Sequence, residues 1–568
     1  MAEKLKYFVN GQFRESKTDK WYDLHNPSTG EITGQAPCCT NDEVLEAIAA
    51  AKAAYPGWSA TPAIKRAQIL YRVRELILER MDELTMSVAK ENGKVWAESE
   101  GDVLKAKEGT ELATQVPSLM MGESIMDASR GYDTVKYREP LGVFAGIVPV
   151  NFPAMIPFGW MAPTCIAAGN TLVLKAASLT PKTAMLFAQL YKDAGVPDGV
   201  INVVTCSRNE INTILEHPDV KGITFVGSTP VGLKIYEKAA ANGKRCQALC
   251  QAKNHALVME DCALERTVAG VINSAFGCAG QRCMALSCCV VQDNIADAFV
   301  AELKKQAEKV NCGPAWDKSS RLGPITYEKH YKEVLADIDK GVAEGATLVL
   351  DGRNTVVEGY ENGYFVGPTI FDHVTADMTI GDEEVFGPVL CIKRCKDFEE
   401  GLAIMNANPY ANGSVIYTQS GYYAREFARR TDGGQVGINV GIPVPVGFIP
   451  FSGHKKSFFG DLHCLGKDAY RFYTESKAVT THWFDEEEKK ATEVSTWDGA
   501  HRLWCALFLY FLLSVLFVRA KQALTFAVCI GEPSAGVVGY ILYYKTAKTS
   551  ILFLSLSVVY NMGTEVCL

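Results

Sequence analysis

No stretch of this 568-residue sequence concentrates lysine and arginine, and its formal net charge is −8. Proteins whose main partner is nucleic acid carry a basic stripe or patch, so this charge pattern argues against that class. The opening residues MAEKLKYFVNGQFRES also lack the apolar core of a secretory signal and the Arg- and Ser-rich pattern of an organelle leader. These absences predict a cytoplasmic protein with reduced thiols and no nucleic-acid partner.

Cysteine is too sparse for a disulfide scaffold, although 18 cysteines are present. Such scaffolds reach about 8–10% cysteine in much shorter chains. Four cysteines lie in FGCAGQRCMALSCC, residues 276–289, but Cys278 and Cys283 are five positions apart and Cys288 and Cys289 are adjacent. Neither spacing is the C-x₂-C pair that is typical of zinc sites. The stretch therefore predicts no metal site, and either core packing or one nucleophile remains.

The residues that are present indicate an α/β protein. Short apolar runs alternate with helical patterns after Gly142, and again after residue 250. The runs are VFAGIVPV, TLVLKA, INVVTC and GITFVG, then HALVME, CCVVQD, ATLVLDG and GSVIYT. Such alternation predicts mostly parallel sheets with helices on both faces. Residues 41–54 predict a helix that is capped at Thr40 or Asn41 and ended by YPGW, and residues 63–92 predict a second helical region that ends at ENGK.

The character of the chain changes after residue 484. FDEEEKKATEVSTWDG, residues 484–499, is polar and typical of a domain end. LWCALFLYFLLSVLFV, residues 503–518, carries no charge, but it is shorter than the roughly 20 apolar residues of a membrane span. A membrane anchor, a buried tail helix and an extension appended to a complete enzyme are the three interpretations. The absence of caps and of amphipathic periodicity favours an appended extension over residues 500–568.

Cys283 is the candidate nucleophile of the cysteine-rich stretch. A catalytic cysteine reacts as its thiolate, so nearby positive charge must lower its pKa from about 8.5. Arg282 directly precedes Cys283, and the small residues upstream leave room for a substrate. The other three cysteines have no adjacent charge or open a strand-like run, so packing is their expected role.

Three further segments are typical of ligand-binding turns. Asn151, in IVPVNFPAMIP, follows an apolar run, where it would either donate to an oxyanion or close an Asx-turn. Gly227, Ser228 and Gly232, in GITFVGSTPVG, would let a pyrophosphate approach the start of a helix, although the spacing is not G-x-G-x-x-G. Lys175 ends the run LVLK, where a contact to a cofactor phosphate or ribose is expected.

Six motifs, taken in order, resemble the aldehyde dehydrogenase superfamily. They are VNFPAMIP, LVLK, FVGSTPVG, AGQRCMA, EEVFGPV and GINVGIPVPVG. AKNHALV, GQRCMALS, YENGYFVGPTI and IPVPV are similar to its CoA-acylating methylmalonate/malonate-semialdehyde dehydrogenases. The resemblance covers about residues 5–483 and does not extend over residues 500–568. It implies three parts and a homodimer or homotetramer. The parts are a Rossmann-like NAD domain (1–130 and 140–250), an α/β catalytic domain (251–445) and a small β oligomerisation flap (131–139 and 465–483).

The resemblance also implies roles for single residues. Cys283 would be the nucleophile and Asn151 the oxyanion donor. Arg282 would pair with the carboxylate of a semialdehyde acid, and Lys105 stands where a second arginine is expected, with the charge but without the bidentate fork. The implied cofactor contacts are Val150, Phe152, Lys175, Ser178, Gly227, Ser228, Gly232, Glu384 and Phe386.

One departure from the hydrolytic members of the superfamily indicates the reaction type. Their general-base glutamate would lie in an ELGGK-like segment, and counting back from Lys253 in LCQAK places Leu249 there. Without a base, a Cys283 thioester persists until another thiol takes the acyl group, as CoA acylation requires. The resemblance thus implies NAD-dependent oxidation of malonate or methylmalonate semialdehyde to acetyl-CoA or propionyl-CoA with loss of CO₂.

Other interpretations remain open from the sequence. A hydrolytic NAD(P)-dependent enzyme would need a base elsewhere, for which the acidic cluster at residues 382–384 is the candidate. Ser178 replaces a glutamate that often binds the adenosine ribose, so repulsion of a 2′-phosphate is lost and NADP becomes an alternative cofactor. The apolar segment 503–518 motivates a third interpretation, a catalytically silent relative tethered to a membrane.

Overall fold

The computed structural model describes residues 3–129, 131–444 and 446–490 and the backbone of two later strands. The chain divides into two units, Met1–Thr481 and His482–Leu568. In the second unit, strands Val537–Tyr544 and Leu552–Val559 pair antiparallel. The apolar segment 503–518 lies outside the described residues, and no described helix is long and apolar enough to cross a membrane.

The first helix begins where the sequence predicts but ends later. Thr40 caps helix Asn41–Ala60, because its hydroxyl accepts the Glu43 N–H while the Glu43 carboxylate accepts the Thr40 N–H at 2.8 Å. The predicted end at YPGW is wrong, since the helix continues through Pro56. Trp58 is buried in the last turn, and its indole N–H donates to the Ile166 carbonyl at 2.9 Å. This anchor outweighs the backbone hydrogen bond that proline removes.

The second predicted helical region consists of helices Ala63–Glu79 and Met81–Asn92, which meet at Arg80. It ends as predicted, with Gly93 in the left-handed conformation at φ 93°. The remaining described helices of eight or more residues are Trp96–Ala113, Lys182–Asp193, Arg208–Glu216, Thr229–Ala241, Leu264–Phe276, Asp293–Ala307, Glu328–Ala343, Phe398–Ala407, Gly421–Arg430 and Gly466–Tyr473. The shorter ones are Val116–Leu119, Ile156–Met161 (a π-helix), Ala162–Ala167, Gly277–Gly280, Thr379–Asp382 and Glu488–Lys490.

All the apolar runs predicted as strands contain a strand, and they form two large sheets. The first sheet has eight strands in the order Gln12–Arg14, Tyr7–Val9, Ile201–Val204, Thr171–Lys175, Val143–Ile147, Val220–Val226, Arg245–Leu249 and Phe458–Gly460. Its five central strands are parallel. The second sheet has seven, in the order Thr347–Leu350, Thr369–Asp372, Val389–Cys395, Leu286–Gln292, Asn254–Val258, Gly413–Tyr417 and Gln435–Ile438. Thr347–Leu350 alone runs antiparallel to its neighbour in this sheet.

Smaller sheets complete the described fold. Strands Thr474–His482, Tyr132–Pro140 and Ser124–Ser129 form a three-stranded sheet. Trp21–His25 pairs with Ile32–Pro37, and Tyr410–Ala411 pairs with His454–Lys455. Both large sheets lie between layers of buried apolar side chains, and Val143–Ile147 is buried along its whole length. This is the mixed α/β architecture that the alternating pattern predicts.

The first sheet has a topological switch point. From strand Val143–Ile147 the chain adds two strands on one side and then returns to add Val220–Val226 on the other side. In such sheets the crevice at the carboxyl ends of the two diverging strands is where ligands bind. Asn151 follows one of these strands and Gly227 follows the other, so both lie at this crevice.

Close backbone packing joins helix Trp96–Ala113 to the π-helix that follows Asn151. A Cβ placed on Gly109 would lie 2.1 Å from the Gly159 carbonyl oxygen, so only glycine fits there. A Cβ on Gly101, in the same helix, would meet no atom within 4 Å. The helix therefore rests directly on the segment that carries Asn151.

A buried ion pair ties the same two segments together. The Lys94 ammonium lies 2.8 Å from the Asp102 carboxylate, and both side chains are almost fully buried. Asp102 also accepts the Met155 N–H at 2.7 Å, and Lys94 lies 3.6 Å from the centroid of the Phe152 ring. Burial raises the pKa of Asp102, and the Lys94 charge opposes this rise.

We expect Gly109→Ala to lower the free energy of unfolding by about 1–3 kcal/mol, because the methyl group collides with the Gly159 carbonyl. Gly101→Ala is the matched control, and it should raise stability by up to about 1 kcal/mol through helix propensity. Urea midpoints of the two variants and the parent measure the difference. Equal midpoints for the two variants would contradict the packing argument.

We expect Asp102→Ala to cost about 3–5 kcal/mol, because it leaves the buried Lys94 ammonium without a counter-charge. The double variant Lys94→Met/Asp102→Leu should regain most of this loss, since it buries no charge. Thermal unfolding of the single and double variants is the measurement. A double variant that is no more stable than the single one would show that the pair does not act through its charges.

Candidate active site

The loop that carries Cys283 is built on a left-handed turn. Cys278 and Ala279 have φ of 52° and Gly280 has φ of 69°, within the short segment Gly277–Gly280 that follows helix Leu264–Phe276. A Cβ on Gly280 would lie 2.0 Å from the Gly387 carbonyl oxygen, so the loop packs against the segment after Phe386. L-residues adopt this backbone region at a cost, which the surrounding contacts must offset.

Hydrogen bonds from distant segments hold this loop. The Glu98 carboxylate accepts the Cys278 N–H at 2.6 Å. The Cys283 carbonyl accepts the side-chain amides of Asn254 at 2.9 Å and of Asn412 at 3.0 Å. The backbone of the candidate nucleophile is thereby fixed just before strand Leu286–Gln292.

Cys283 lies where two cavities meet. One cavity has a volume of about 240 Å³ and lies among apolar side chains; we call it the apolar cavity. The other has a volume of about 530 Å³ and lies at the switch point of the first sheet; we call it the polar cavity. The apolar cavity is lined by Phe152, Met155, Trp160, Cys278, Met284, Ile442, Val444 and Phe451 and by a face of helix Trp96–Ala113. Cys283 lines both cavities.

The other cysteines of the stretch have the positions expected of packing residues. Cys288 and Cys289 are fully buried in strand Leu286–Gln292, in the core of the second sheet. Cys278 is also buried, although it lines the apolar cavity beside Cys283.

Burial dominates the pKa of the Cys283 thiol. It raises this pKa to about 12, and the charge of Glu384 adds to the rise. Arg282 lowers the pKa, as expected, but by less than burial raises it; its guanidinium also donates to the Gly277 and Asn273 carbonyls and lies 3.6 Å from the Glu98 carboxylate.

Asn151 reaches the polar cavity from the switch point. Its side chain is buried, and its amide N–H donates to the Gln281 carbonyl at 3.0 Å. Asn151 and Cys283 line the same cavity. The structure thus brings together the two residues predicted to attack a carbonyl carbon and to stabilise its oxygen.

Both candidate carboxylate-binding cations line the apolar cavity, but each is paired. Arg282 lies beside Glu98, and Lys105 donates to Glu108 at 2.6 Å. One face of helix Trp96–Ala113 lines this cavity, because its lining residues are three, four and seven positions after the first. They are Glu98, Gly101, Asp102 and Lys105. Sequence reasoning missed Glu98, because its partner Cys278 lies 180 residues away in the chain.

Four predicted cofactor residues line the polar cavity: Gly227, Ser228, Glu384 and Phe386. Burial raises the pKa of Glu384 to about 8, against the hydrogen bond from the Ala252 N–H at 3.3 Å. Phe386 has φ of 56°, and its carbonyl accepts the Nε2–H of His330 at 2.9 Å. His330 also lines the cavity, and sequence reasoning missed it because it lies in an ordinary amphipathic helix.

The other predicted cofactor residues lie elsewhere. Phe152 lines the apolar cavity, and the Val150 carbonyl accepts the Asn92 amide at 2.9 Å inside the fold. Lys175 and Ser178 follow the neighbouring strand of the first sheet, outside the lining of the polar cavity. Burial lowers the pKa of Lys175.

The polar cavity has the features that a dinucleotide requires. Helix Thr229–Ala241 begins at its wall without a side-chain cap from Ser228, and the Thr229 N–H donates to the Gln251 side chain at 3.1 Å. A Cβ on Gly227 would lie 2.5 Å from the Phe225 ring, and one on Gly232 would lie 2.3 Å from the Cys250 sulfur. Only glycine permits this close approach of strand and helix. The residues present therefore fit a bound pyrophosphate.

Comparison with known proteins identifies the family. The model of the aldehyde dehydrogenase family matches residues 13–479. A malonate-semialdehyde dehydrogenase of Geobacillus kaustophilus is 46% identical over 482 residues, which are 85% of this chain and 99% of that protein. Another, from Bacillus mycoides, is 45% identical over 482 residues, with the same coverage of both chains.

Solved structures give the same result. A methylmalonate-semialdehyde dehydrogenase of Oceanimonas doudoroffii superposes with a TM-score of 0.84 at 40% identity, over 86% of this chain and all of that one. A protein of Sinorhizobium meliloti assigned the same activity, solved in complex with NAD, has a TM-score of 0.84 at 38% identity, over 85% of this chain and 99% of that one. The resemblance predicted from the ordered motifs is confirmed, and the chain belongs to the aldehyde dehydrogenase family.

Proposed function

We propose that the protein oxidises malonate or methylmalonate semialdehyde with NAD and transfers the acyl group to CoA. The observation that carries this proposal is Leu249. It stands where hydrolytic members of the family would place their base, and it is buried in the apolar cluster against which Cys283 packs. A leucine cannot activate water, so a thioester on Cys283 awaits another thiol. The relatives at 45–46% identity are named as malonate-semialdehyde dehydrogenases, which supports this substrate class.

In this proposal the chemistry takes place where the two cavities meet. The aldehyde binds in the apolar cavity, and the sulfur of Cys283 attacks its carbonyl carbon as the thiol gives its proton to water. The Asn151 amide and the Cys283 N–H stabilise the oxygen that becomes negative. NAD⁺, bound along the polar cavity, supplies the acceptor for the aldehyde hydrogen with its two electrons. A thioester of Cys283 remains.

Gly227, Ser228, Glu384 and Phe386 are the residues proposed to hold NAD. The first two belong to the turn before helix Thr229–Ala241, and the last two lie on the opposite wall of the polar cavity. Ser178 carries no charge to repel a 2′-phosphate, so the proposal includes activity with NADP.

Arg282 is proposed to bind the substrate carboxylate. It lines the apolar cavity, and Glu98 occupies part of its guanidinium in the structure. A substrate carboxylate would compete with Glu98 for these donors, and Lys105 at the same wall would add a second positive charge. The acyl group loses this carboxylate as CO₂ and takes up a proton from water in its place. Attack of the CoA thiol then yields acetyl-CoA or propionyl-CoA, and the CoA thiol proton passes to the released sulfur of Cys283.

Hydrolysis is a second candidate function, and the position of Glu384 favours it. Of the acidic cluster predicted as an alternative base, Asp382 pairs with Lys393 at 2.9 Å and Glu383 is exposed, whereas Glu384 lines the polar cavity with Cys283. A carboxyl group whose pKa is near 8 is able to accept a proton from water or from a thiol close to neutral pH.

The three-stranded sheet supports a proposal of self-association as a dimer or tetramer. Ile125, Met126, Tyr137 and Val479 lie on it and are each 40% or more exposed. Among the described strands, Thr474–His482 pairs only with Tyr132–Pro140, which leaves its other edge open. Exposed apolar side chains beside an open strand edge are typical of an interface.

The first prediction concerns the acyl acceptor. We expect NADH formation from malonate semialdehyde to depend strongly on CoA, with acetyl-CoA as the product, because Leu249 cannot activate water. Steady-state assays with and without CoA, with chromatographic detection of acetyl-CoA, measure this. Undiminished turnover without CoA would instead show hydrolysis, and Glu384→Gln would then be expected to abolish it.

The second prediction concerns the nucleophile. We expect Cys283→Ala to abolish NADH formation, because no other cysteine among the described residues lines both cavities. Cys278→Ala, Cys288→Ala and Cys289→Ala are the matched controls, and each should keep most of the activity in the same assay. Activity that survives in Cys283→Ala would refute the thioester mechanism.

A further inference from the structure

Two clefts outside the site described above follow helix Leu264–Phe276. The first, of about 500 Å³, is lined by Arg266, Asn273, Tyr417 and Gln419 among others. The second, of about 450 Å³, is lined by Lys309 and Arg321 among others. Both volumes lie in the range of small-molecule sites.

The cations of these clefts have no counter-charge of their own. Among the described residues, the side chains of Arg266, Lys309 and Arg321 form no ion pair and no hydrogen bond, and all three are exposed. The acid in the lining is Glu98, whose carboxylate is already engaged by Arg282 and by the Cys278 N–H. The clefts therefore present unpaired positive charge.

One buried hydroxyl in the first cleft also forms no hydrogen bond of normal geometry. Tyr417 is 3% exposed, and among the described residues its hydroxyl has only the nearby Ser274 side chain, which lowers its pKa against the effect of burial. A buried polar group without a partner is costly unless a ligand or water satisfies it. The amide side chains of Asn273 and Gln419 line the same cleft and add neutral donors.

The clefts adjoin the cavity that contains the candidate nucleophile. The first cleft shares the lining residue Ile442 with the apolar cavity, and the second shares Glu98 with it. The two clefts share Ala269 and Asn273 with each other. A long ligand that lies along this helix would pass Ile442 or Glu98 to reach Cys283, without entering the polar cavity.

We propose that these two clefts bind the phosphorylated nucleotide of CoA, whose thiol arm reaches Cys283 through the apolar cavity. This inference rests on the proposed function, in which CoA is the acyl acceptor. Phosphate groups bind where unpaired guanidinium and ammonium groups converge, and arginine suits their geometry best. Loss of CO₂ from the acyl group shortens it and leaves space for the arm in a cavity of about 240 Å³.

Pantetheine is the probe that isolates the phosphate contacts, because it has the thiol arm of CoA without its nucleotide. The expected result is that Arg266→Ala raises the KM for CoA about tenfold, as loss of a charge-assisted contact does. The KM values for pantetheine, NAD and the semialdehyde should remain those of the parent. Lys309→Ala/Arg321→Ala should have the same pattern, and Arg266→Lys should recover part of the affinity.

Lys65→Ala is the matched control, because Lys65 is an exposed cation on helix Ala63–Glu79 that also has no ion pair among the described residues. It should leave every KM unchanged. An unchanged KM for CoA in Arg266→Ala and in the double variant would overturn the site, and so would an equal rise in the KM for pantetheine. If NADH competes with CoA and the cleft variants keep the parent KM for CoA, CoA binds in the polar cavity instead.

Calorimetric titration of CoA into the Cys283→Ala protein separates this inference from the proposed function. CoA binding that Arg266→Ala weakens supports the clefts even without turnover. If the parent enzyme forms acetyl-CoA while the cleft variants bind CoA normally, only the proposed binding of CoA in the clefts is refuted. If the parent enzyme neither binds nor uses CoA, both proposals are refuted.

Discussion

The left-handed turn at Cys278, Ala279 and Gly280 is the constraint on which the geometry of the site depends. It reverses the chain between helix Leu264–Phe276 and strand Leu286–Gln292, and it leaves Cys283 exposed to two cavities at once. Such a turn needs stabilising contacts from outside, because two of its three residues carry a Cβ in a disfavoured backbone region. Glu98 from one side and the Gly387 carbonyl from the other hold it in place.

The same turn explains how the two large sheets serve one reaction centre. The first sheet offers the carboxyl ends of parallel strands at its switch point, which is a general location for ligands. The second sheet provides the candidate nucleophile, Cys283, just before one of its strands, and the Asn254 and Asn412 amides anchor its backbone. Neither sheet alone contains a complete set of reacting groups.

Charges close to the site are mostly paired within the protein. Lys94 pairs with Asp102, Arg282 with Glu98, and Lys105 with Glu108. A thiol surrounded by paired charges and apolar side chains stays protonated, as the raised pKa of Cys283 indicates. A positive charge brought close to the thiol would lower its pKa, whereas the carboxylate of an acidic ligand would raise it further.

Local patterns in the sequence determined much of this protein. The alternation of apolar runs and amphipathic segments determined the strands and the α/β class, and Thr40 and Gly93 determined helix ends through local capping. The ordered motifs were sufficient for the family, because backbone turns that carry ligands demand particular residues at fixed short spacings. The approach of Asn151 and Cys283 to one cavity followed from the same motifs.

Only the tertiary structure decided the matters that depend on distant partners. The hydrogen bond from Trp58 to the Ile166 carbonyl anchors the helical turn that follows Pro56. The packing of distant segments places Phe152 at the apolar cavity. The pairing of Arg282 with Glu98 joins residues that are far apart in the chain, so no local pattern reports it. The sequence by itself determined which groups were available for chemistry. The packing of distant segments decided which of them are free, because charge and burial are properties of the surroundings.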